Sequence, residues 1–177
     1  MPDTHPLVLT LGLDPDTFVA LDRLRRAHFP PERNVLPAHL TLFHALPGER
    51  EADVRAALAD AAVCAPLPLT FAGVRSLGRG VAVVVKGAEL VALRRHLAAA
   101  FGAWLTPQDR QPYRPHVTVQ NKAAPDAARR LLEGLSAGWV AFAGRGESLL
   151  LWRYLGGPWE LAEEFPLAAL PPSPEGG

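Results

Sequence analysis

Two segments of this 177-residue chain carry the same side chains at the same spacing. They are Pro37-Ala38-His39-Leu40-Thr41-Leu42-Phe43 and Arg114-Pro115-His116-Val117-Thr118-Val119. Each reads His, apolar, Thr, apolar. In an extended strand, residues two apart share a face. His39 and Thr41 therefore point one way while Leu40 and Leu42 point the other; His116 and Thr118 do the same opposite Val117 and Val119. The outcome is an imidazole beside a hydroxyl, on a rigid support, twice. Imidazoles give and take protons near neutral pH, and hydroxyls donate to anionic oxygens. With six histidines, seven threonines and 49% hydrophobic residues in the chain, about 0.06 such matches are expected by chance. The other histidines (His5, His28, His44 and His96) lack a threonine two positions on.

A metal centre competes poorly for these residues. Zinc takes three or four nitrogen, sulfur or carboxylate ligands, and a hydroxyl two residues from each histidine is a weak substitute. Cys64 is the single cysteine, which excludes an intrachain disulfide and a cysteine-rich zinc site. At a helix end with no partner motif, it reads as a small buried residue.

The elements that must position the two motifs follow from periodicity. Leu7 to Leu13 reads as a strand, closed by Asp14-Pro15 as a helix N-cap and first turn. Phe18, Leu21 and Leu24 form a helical stripe that Phe29-Pro30-Pro31 stops. His39 to Leu46 alternates as a strand, and Glu49 to Cys64 reads as a helix with Val54, Leu58 and Ala61/Ala62 inward. Strands follow at Leu67 to Val74 and Gly80 to Lys86, around a turn at Ser76 to Gly80. Leu90, Leu93, Leu97, Phe101 and Trp104 make the cleanest helical stripe. After a polar loop from Thr106 to Pro112 come a strand from His116 to Gln120 and a helix from Pro125 to Leu135. Trp139 to Phe165 reads as three strands, broken at Gly144-Arg145-Gly146 and Gly156-Gly157-Pro158. A helix, a histidine-bearing strand and another helix thus occur twice. This predicts an α+β fold of two similar lobes with largely antiparallel sheets, not a doubly wound parallel sheet. One domain is expected over residues 1–170, with a flexible Pro/Gly tail over residues 171–177.

Eighteen basic residues balance eighteen acidic ones, which argues against gripping long nucleic acid by bulk charge. There is no Gly-rich phosphate loop for ATP or NAD. No run approaches the roughly 18 apolar residues of a membrane span, and the start Met1-Pro2-Asp3-Thr4-His5-Pro6 lacks the features of a signal peptide. These readings predict a cytoplasmic protein, expected to be a monomer, with no membrane partner, no cofactor and no metal.

The paired motifs resemble the signature of the 2H phosphoesterase superfamily. Ala27-His28-Phe29-Pro30-Pro31-Glu32, His39 to Gly48, and Tyr113 to Val119 resemble its 2′-5′ RNA ligase-like branch, and Trp159 to Leu167 resembles its closing strand. The similarity spans about residues 5 to 168 in order and spacing. It implies two pseudo-symmetric lobes around a central cleft, with one motif from each. It further implies metal-independent opening of 2′,3′-cyclic phosphates on RNA ends or small cyclic nucleotides, or the reverse 2′-5′ joining without ATP. A non-catalytic RNA- or nucleotide-binding protein on the same fold is the rival from another class. On this resemblance His39 and His116 are the acid/base pair, and Thr41 and Thr118 bind phosphate. Many relatives carry a cation after the first motif, where this chain has Phe43 and His44; after the second come Gln120, Asn121 and Lys122, so the cationic position is shifted or absent. Arg114, two residues before His116 and on its face, is the candidate replacement. Phe43, two after Thr41, is the candidate cleft wall against a base or ribose; His44 falls on the opposite face and reads as structural.

Overall fold

The computed structural model describes residues 4–174. The start of the N-terminal segment (Met1 to Asp3) and the last three residues of the expected tail lie outside that range. The elements are β1 (Leu7–Leu13), α1 (Pro15–His28), β2 (Leu40–Leu46), α2 (Glu51–Ala61), β3 (Leu67–Ser76), β4 (Val81–Lys86), α3 (Ala88–Phe101), β5 (His116–Gln120), α4 (Pro125–Gly138), β6 (Phe142–Tyr154) and β7 (Trp159–Pro166).

All seven strands join one sheet in the order β1-β2-β5-β4-β3-β6-β7, and β1 also pairs with β6, so the sheet closes on itself. Every pairing is antiparallel. The expected two lobes are visible in the ladders. One is β2-β1-β7 around the C-terminal half of β6; the other is β5-β4-β3 beside its N-terminal half. β2 and β5 meet at the bridge Leu40↔Val117. Leu40, Leu42, Val117 and Val119 enter one core with Leu9, Val83, Leu97 and Phe101. Alternation then sends His39, Thr41, His116 and Thr118 to the opposite face. Among the described residues, no helix is long and apolar enough to cross a membrane.

The last stretch departs from the sequence reading. It holds two strands, because β6 runs unbroken through Gly144-Arg145-Gly146. Those glycines make room, not a turn. A Cβ on Gly144 would lie 2.3 Å from Thr17 Oγ1 and 2.8 Å from Phe71 Cε2, and one on Gly146 would lie 2.6 Å from Leu11 Cδ2. Glycine inside a strand marks such close approaches as often as it marks a bend. The helices shift only at their ends: α4 extends to Gly138, and α2 is preceded by a single 3-10 turn over Gly48–Arg50. Cys64 is half-buried against the core.

Candidate active site

His39 immediately precedes β2, and His116 opens β5. The Leu40↔Val117 bridge is antiparallel. Extended by one residue each way, its register sets His39 across from Thr118 and Thr41 across from His116. The imidazoles thus occupy one diagonal of a four-residue patch and the hydroxyls the other. With Val8, His44 and Trp159, these four side chains line a cavity of about 160 Å³.

Both rings are held alike. His39 Nδ1 lies 2.8 Å from the Pro37 carbonyl, and His116 Nδ1 lies 2.8 Å from the Arg114 carbonyl. A carbonyl only accepts, so Nδ1 carries the proton in each ring and Nε2 is left free. Burial lowers the pKa of both rings below the ordinary histidine value, against the opposing carbonyl hydrogen bond. For His39 the charges of Arg25, His116 and His44 add to the lowering; for His116 those of Arg75, His44 and Arg114 do so.

The side chain of Arg114 is exposed and does not line the cavity. Its carbonyl orients the His116 ring, and its charge is felt there. Sequence reasoning missed Arg75. Arg75 is level with Ala82 in the β3–β4 ladder, and Ala82 is level with Thr118 in the β4–β5 ladder. Its Nη2 comes within 3.4 Å of His116 Nδ1. Because that nitrogen already donates to a carbonyl, the guanidinium acts there as a neighbouring charge. Arg25 is a second such residue. Buried in α1, it donates to the Thr118 carbonyl at 2.9 Å and to Asn34 Oδ1 at 2.9 Å, bracing β5 from behind. Tyr113 braces β2 in the same way, its hydroxyl donating to the Thr41 carbonyl at 2.9 Å.

Phe43 and His44 exchange the places expected from sequence. The β1–β2 register pairs Thr10 with Thr41 but Leu9 with Phe43. Leu42 is therefore an extra residue in a β-bulge, which reverses the facing of the residues after it. Phe43 turns into the core at 0% exposure. Its ring packs edge-on to Phe101 at 5.1 Å and lies 3.8 Å from the Arg94 guanidinium. It does not wall the cleft. Trp159 does, edge-on to His39 at 5.1 Å. His44 turns toward the cavity, and its Nδ1 lies 3.0 Å from Asp109 Oδ1. The adjacent bulky apolar pair Leu42-Phe43, which breaks strict alternation, is the sequence signal of that bulge.

Beside the cavity runs a larger groove of about 620 Å³, which shares His39 and Trp159 with it. Phe18, Val35, Leu150, Trp152 and Leu161 give it apolar walls, and among the described residues that line it Glu164 is the one carboxylate, with no Lys or Arg. Arg75 and Arg114 thus act on His116 and Arg25 on His39, and the apolar groove adjoins His39. Among the described residues, no three His, Cys, Asp or Glu side chains are grouped to hold a metal ion.

A family model described as the 2'-5' RNA ligase superfamily matches residues 13–158. The chain belongs to this superfamily. The matched span covers both motifs. No curated protein matches the chain in sequence. Among solved structures, TT0787 of Thermus thermophilus is similar at a TM-score of 0.68 and 22% identity, over 93% of this chain and 98% of that one. LigT of E. coli, solved in complex with NADP+, is similar at a TM-score of 0.60 and 17% identity, over 93% and 99%. A second LigT structure, with 3'-AMP, gives 0.59 and 18% over the same shares. These likenesses place this superfamily member in the α+β fold of those proteins over nearly its whole length.

Proposed function

We propose that the protein is a metal-independent phosphodiesterase that opens 2′,3′-cyclic phosphates of RNA ends or small nucleotides. Superfamily membership supports a phosphoesterase in general. The finer reading rests on one observation: two imidazoles with free Nε2 atoms lie on opposite corners of a cavity sized for a phosphate, each beside a threonine. A pure binding protein needs no such pair of oriented proton carriers.

In this mechanism one imidazole takes a proton from water as its oxygen attacks phosphorus. The bond from phosphorus to one ribose oxygen breaks on the far side, and the other imidazole, protonated, gives that oxygen its proton. The product is a ribose 2′- or 3′-monophosphate. Thr41 and Thr118 donate to the non-bridging oxygens, where charge is held through the transition state. With a 5′-hydroxyl in place of water, the same groups support the joining reaction. The cavity is smaller than the roughly 300 Å³ of an ordinary ligand pocket. The nucleoside therefore extends into the apolar groove past Trp159, while Arg75 and Arg114 favour an anionic ligand on the other side.

The test is hydrolysis of 2′,3′-cyclic nucleotides, with products resolved as 2′- or 3′-phosphates. His39→Ala and His116→Ala should each cut turnover by about 10²- to 10⁴-fold, and the double variant should lose far less than the product of the two. Thr41→Ala and Thr118→Ala should each cost less. Near-full activity in His116→Ala beside a dead His39→Ala would exclude the two-histidine mechanism.

A further inference from the structure

A third imidazole faces the cavity, and the two-histidine mechanism does not use it. The Leu42 bulge brings His44 to the same lining as His39, His116 and both threonines. Asp109 lies beneath it with a side chain 1% exposed. One carboxylate accepts from the His44 amide at 2.9 and 3.0 Å, from the Ala45 amide at 3.0 Å, and from His44 Nδ1 at 3.0 Å. Burial pushes the Asp109 carboxyl upward, but the hydrogen bonds from the His44 ring and from the two amides outweigh it and hold the group below the usual carboxylate range. An ionised carboxylate accepts only, so Nδ1 carries the proton and Nε2 is the free nitrogen of His44. That is the tautomer in which His39 and His116 are also held.

Tying down two amides needs an acceptor, not a charge, and a buried carboxylate is costly unless a cation answers it. Arg94, also buried, gives its hydrogen bonds to the Leu42 and Asp109 carbonyls at 2.8 and 2.7 Å, and its charge also attracts the Asp109 carboxylate. The side-chain partner of the Asp109 carboxylate is the His44 ring. Such a carboxylate behind an imidazole fixes the ring's orientation and tautomer. The charge of His44 disfavours protonation of both His39 and His116.

We propose that His44, positioned by Asp109, is the contact for the third oxygen of a phosphomonoester in this cavity, so that the site is built to hold a terminal 2′- or 3′-phosphate as well as a cyclic diester. This rests on the reading of the cavity as a phosphate site. A cyclic diester has two non-bridging oxygens, which the two threonines serve. Ring opening breaks one phosphorus–oxygen bond to ribose and adds the oxygen of water, so the product has three. The new oxygen carries the second negative charge, and His44, on the same cavity wall, offers it an Nε2–H in its imidazolium form. His44 is thus a ligand-binding residue, and Asp109 acts through it.

Binding of inorganic phosphate and of 2′- and 3′-AMP to the full chain, followed by calorimetry and by ³¹P NMR, tests this without turnover. His44→Ala leaves the carboxylate on both amides, so the bulge is kept. It should weaken phosphate and monophosphate affinity roughly ten- to hundredfold, the range for a hydrogen bond to a charged group. The KM for a 2′,3′-cyclic nucleotide should move much less. His44→Lys should recover most of the lost affinity, which a merely structural histidine would not predict. Asp109→Asn keeps an acceptor for the amides and removes the charge; it should weaken monophosphate binding. Equal monophosphate affinity in wild type and His44→Ala overturns the proposal, and so does a wild type that binds neither phosphate nor monophosphate. A wild type that binds both but opens no cyclic phosphate removes the proposed function instead, and the His44→Ala comparison still decides the role of His44.

Discussion

At the scale of single residues, the main-chain carbonyls of Pro37 and Arg114 matter as much as the imidazoles they hold. They leave both Nε2 atoms free, while burial and nearby cations keep both rings easier to deprotonate than an ordinary histidine. In the free protein, the form with one ring protonated and one neutral therefore builds up only below the ordinary histidine pKa of about 6.5. It gives way to the doubly neutral form as pH rises. The kcat/KM profile for a 2′,3′-cyclic nucleotide should peak below about pH 6.5 and fall above it. A bound phosphodiester anion favours imidazolium, so the kcat profile should lie to the alkaline side of the kcat/KM profile. Steady-state kinetics from pH 5 to 9 checks both, and a kcat/KM optimum above pH 8 contradicts the assignment. The same lowering acts on stability. Between the folded and unfolded pKa values the unfolded chain binds more protons, so stability rises with pH and is lost as pH falls through that window. Urea melts at pH 5 and 7 should show a smaller acid loss for His39→Gln than for wild type. The four motif residues were legible from alternation alone. Arg75 was not, because its place beside His116 depends on which strands lie between them.

The β2 strand shows what an element adds to its sequence. One extra residue at Leu42 sends Phe43 into the core and His44 into the cavity, so alternation counted from Thr41 fails after a single step. The pattern carried a warning in two neighbouring bulky apolar residues, but the bulge is set by pairing with β1 and by the Asp109 carboxylate on the His44 and Ala45 amides. Phe43→Ala should therefore behave as a core truncation. It should cost about 3–5 kcal/mol of stability by denaturant melt, and leave KM nearly unchanged where the protein remains folded. A wild-type stability with a raised KM would return Phe43 to the cleft wall. β6 teaches the opposite lesson: its glycines look like a break and are packing positions. Gly146→Val should lower the thermal midpoint by crowding Leu11, whereas a residue in a free turn would tolerate the change.

Across the whole molecule, two balanced tendencies meet at one cavity. The chain has no net charge, yet Arg75 and Arg114 lie to one side of the cavity and the apolar groove to the other. Composition could not reveal that division, since it comes from the closure of the sheet. The lobe arrangement itself was legible, because helix, histidine strand and helix recur in order. Proton transfer in the proposed reaction is carried by imidazoles, so opening of a 2′,3′-cyclic nucleotide should survive excess chelator. Loss of activity that zinc or manganese restores would replace the mechanism.

The unbroken course of β6 bears on how such a cavity selects what enters it. One strand is laddered to β1 and β7 along one part and to β3 along the other, and the Leu40↔Val117 bridge ties the halves again beside the histidines. The molecule is a caliper locked at one setting. Its jaws cannot spread for a bulky group or tighten on a small one without tearing hydrogen-bonded ladder. For the proposed reaction, discrimination would then be a matter of gauge, and the rate of capture should report shape before it reports chemistry.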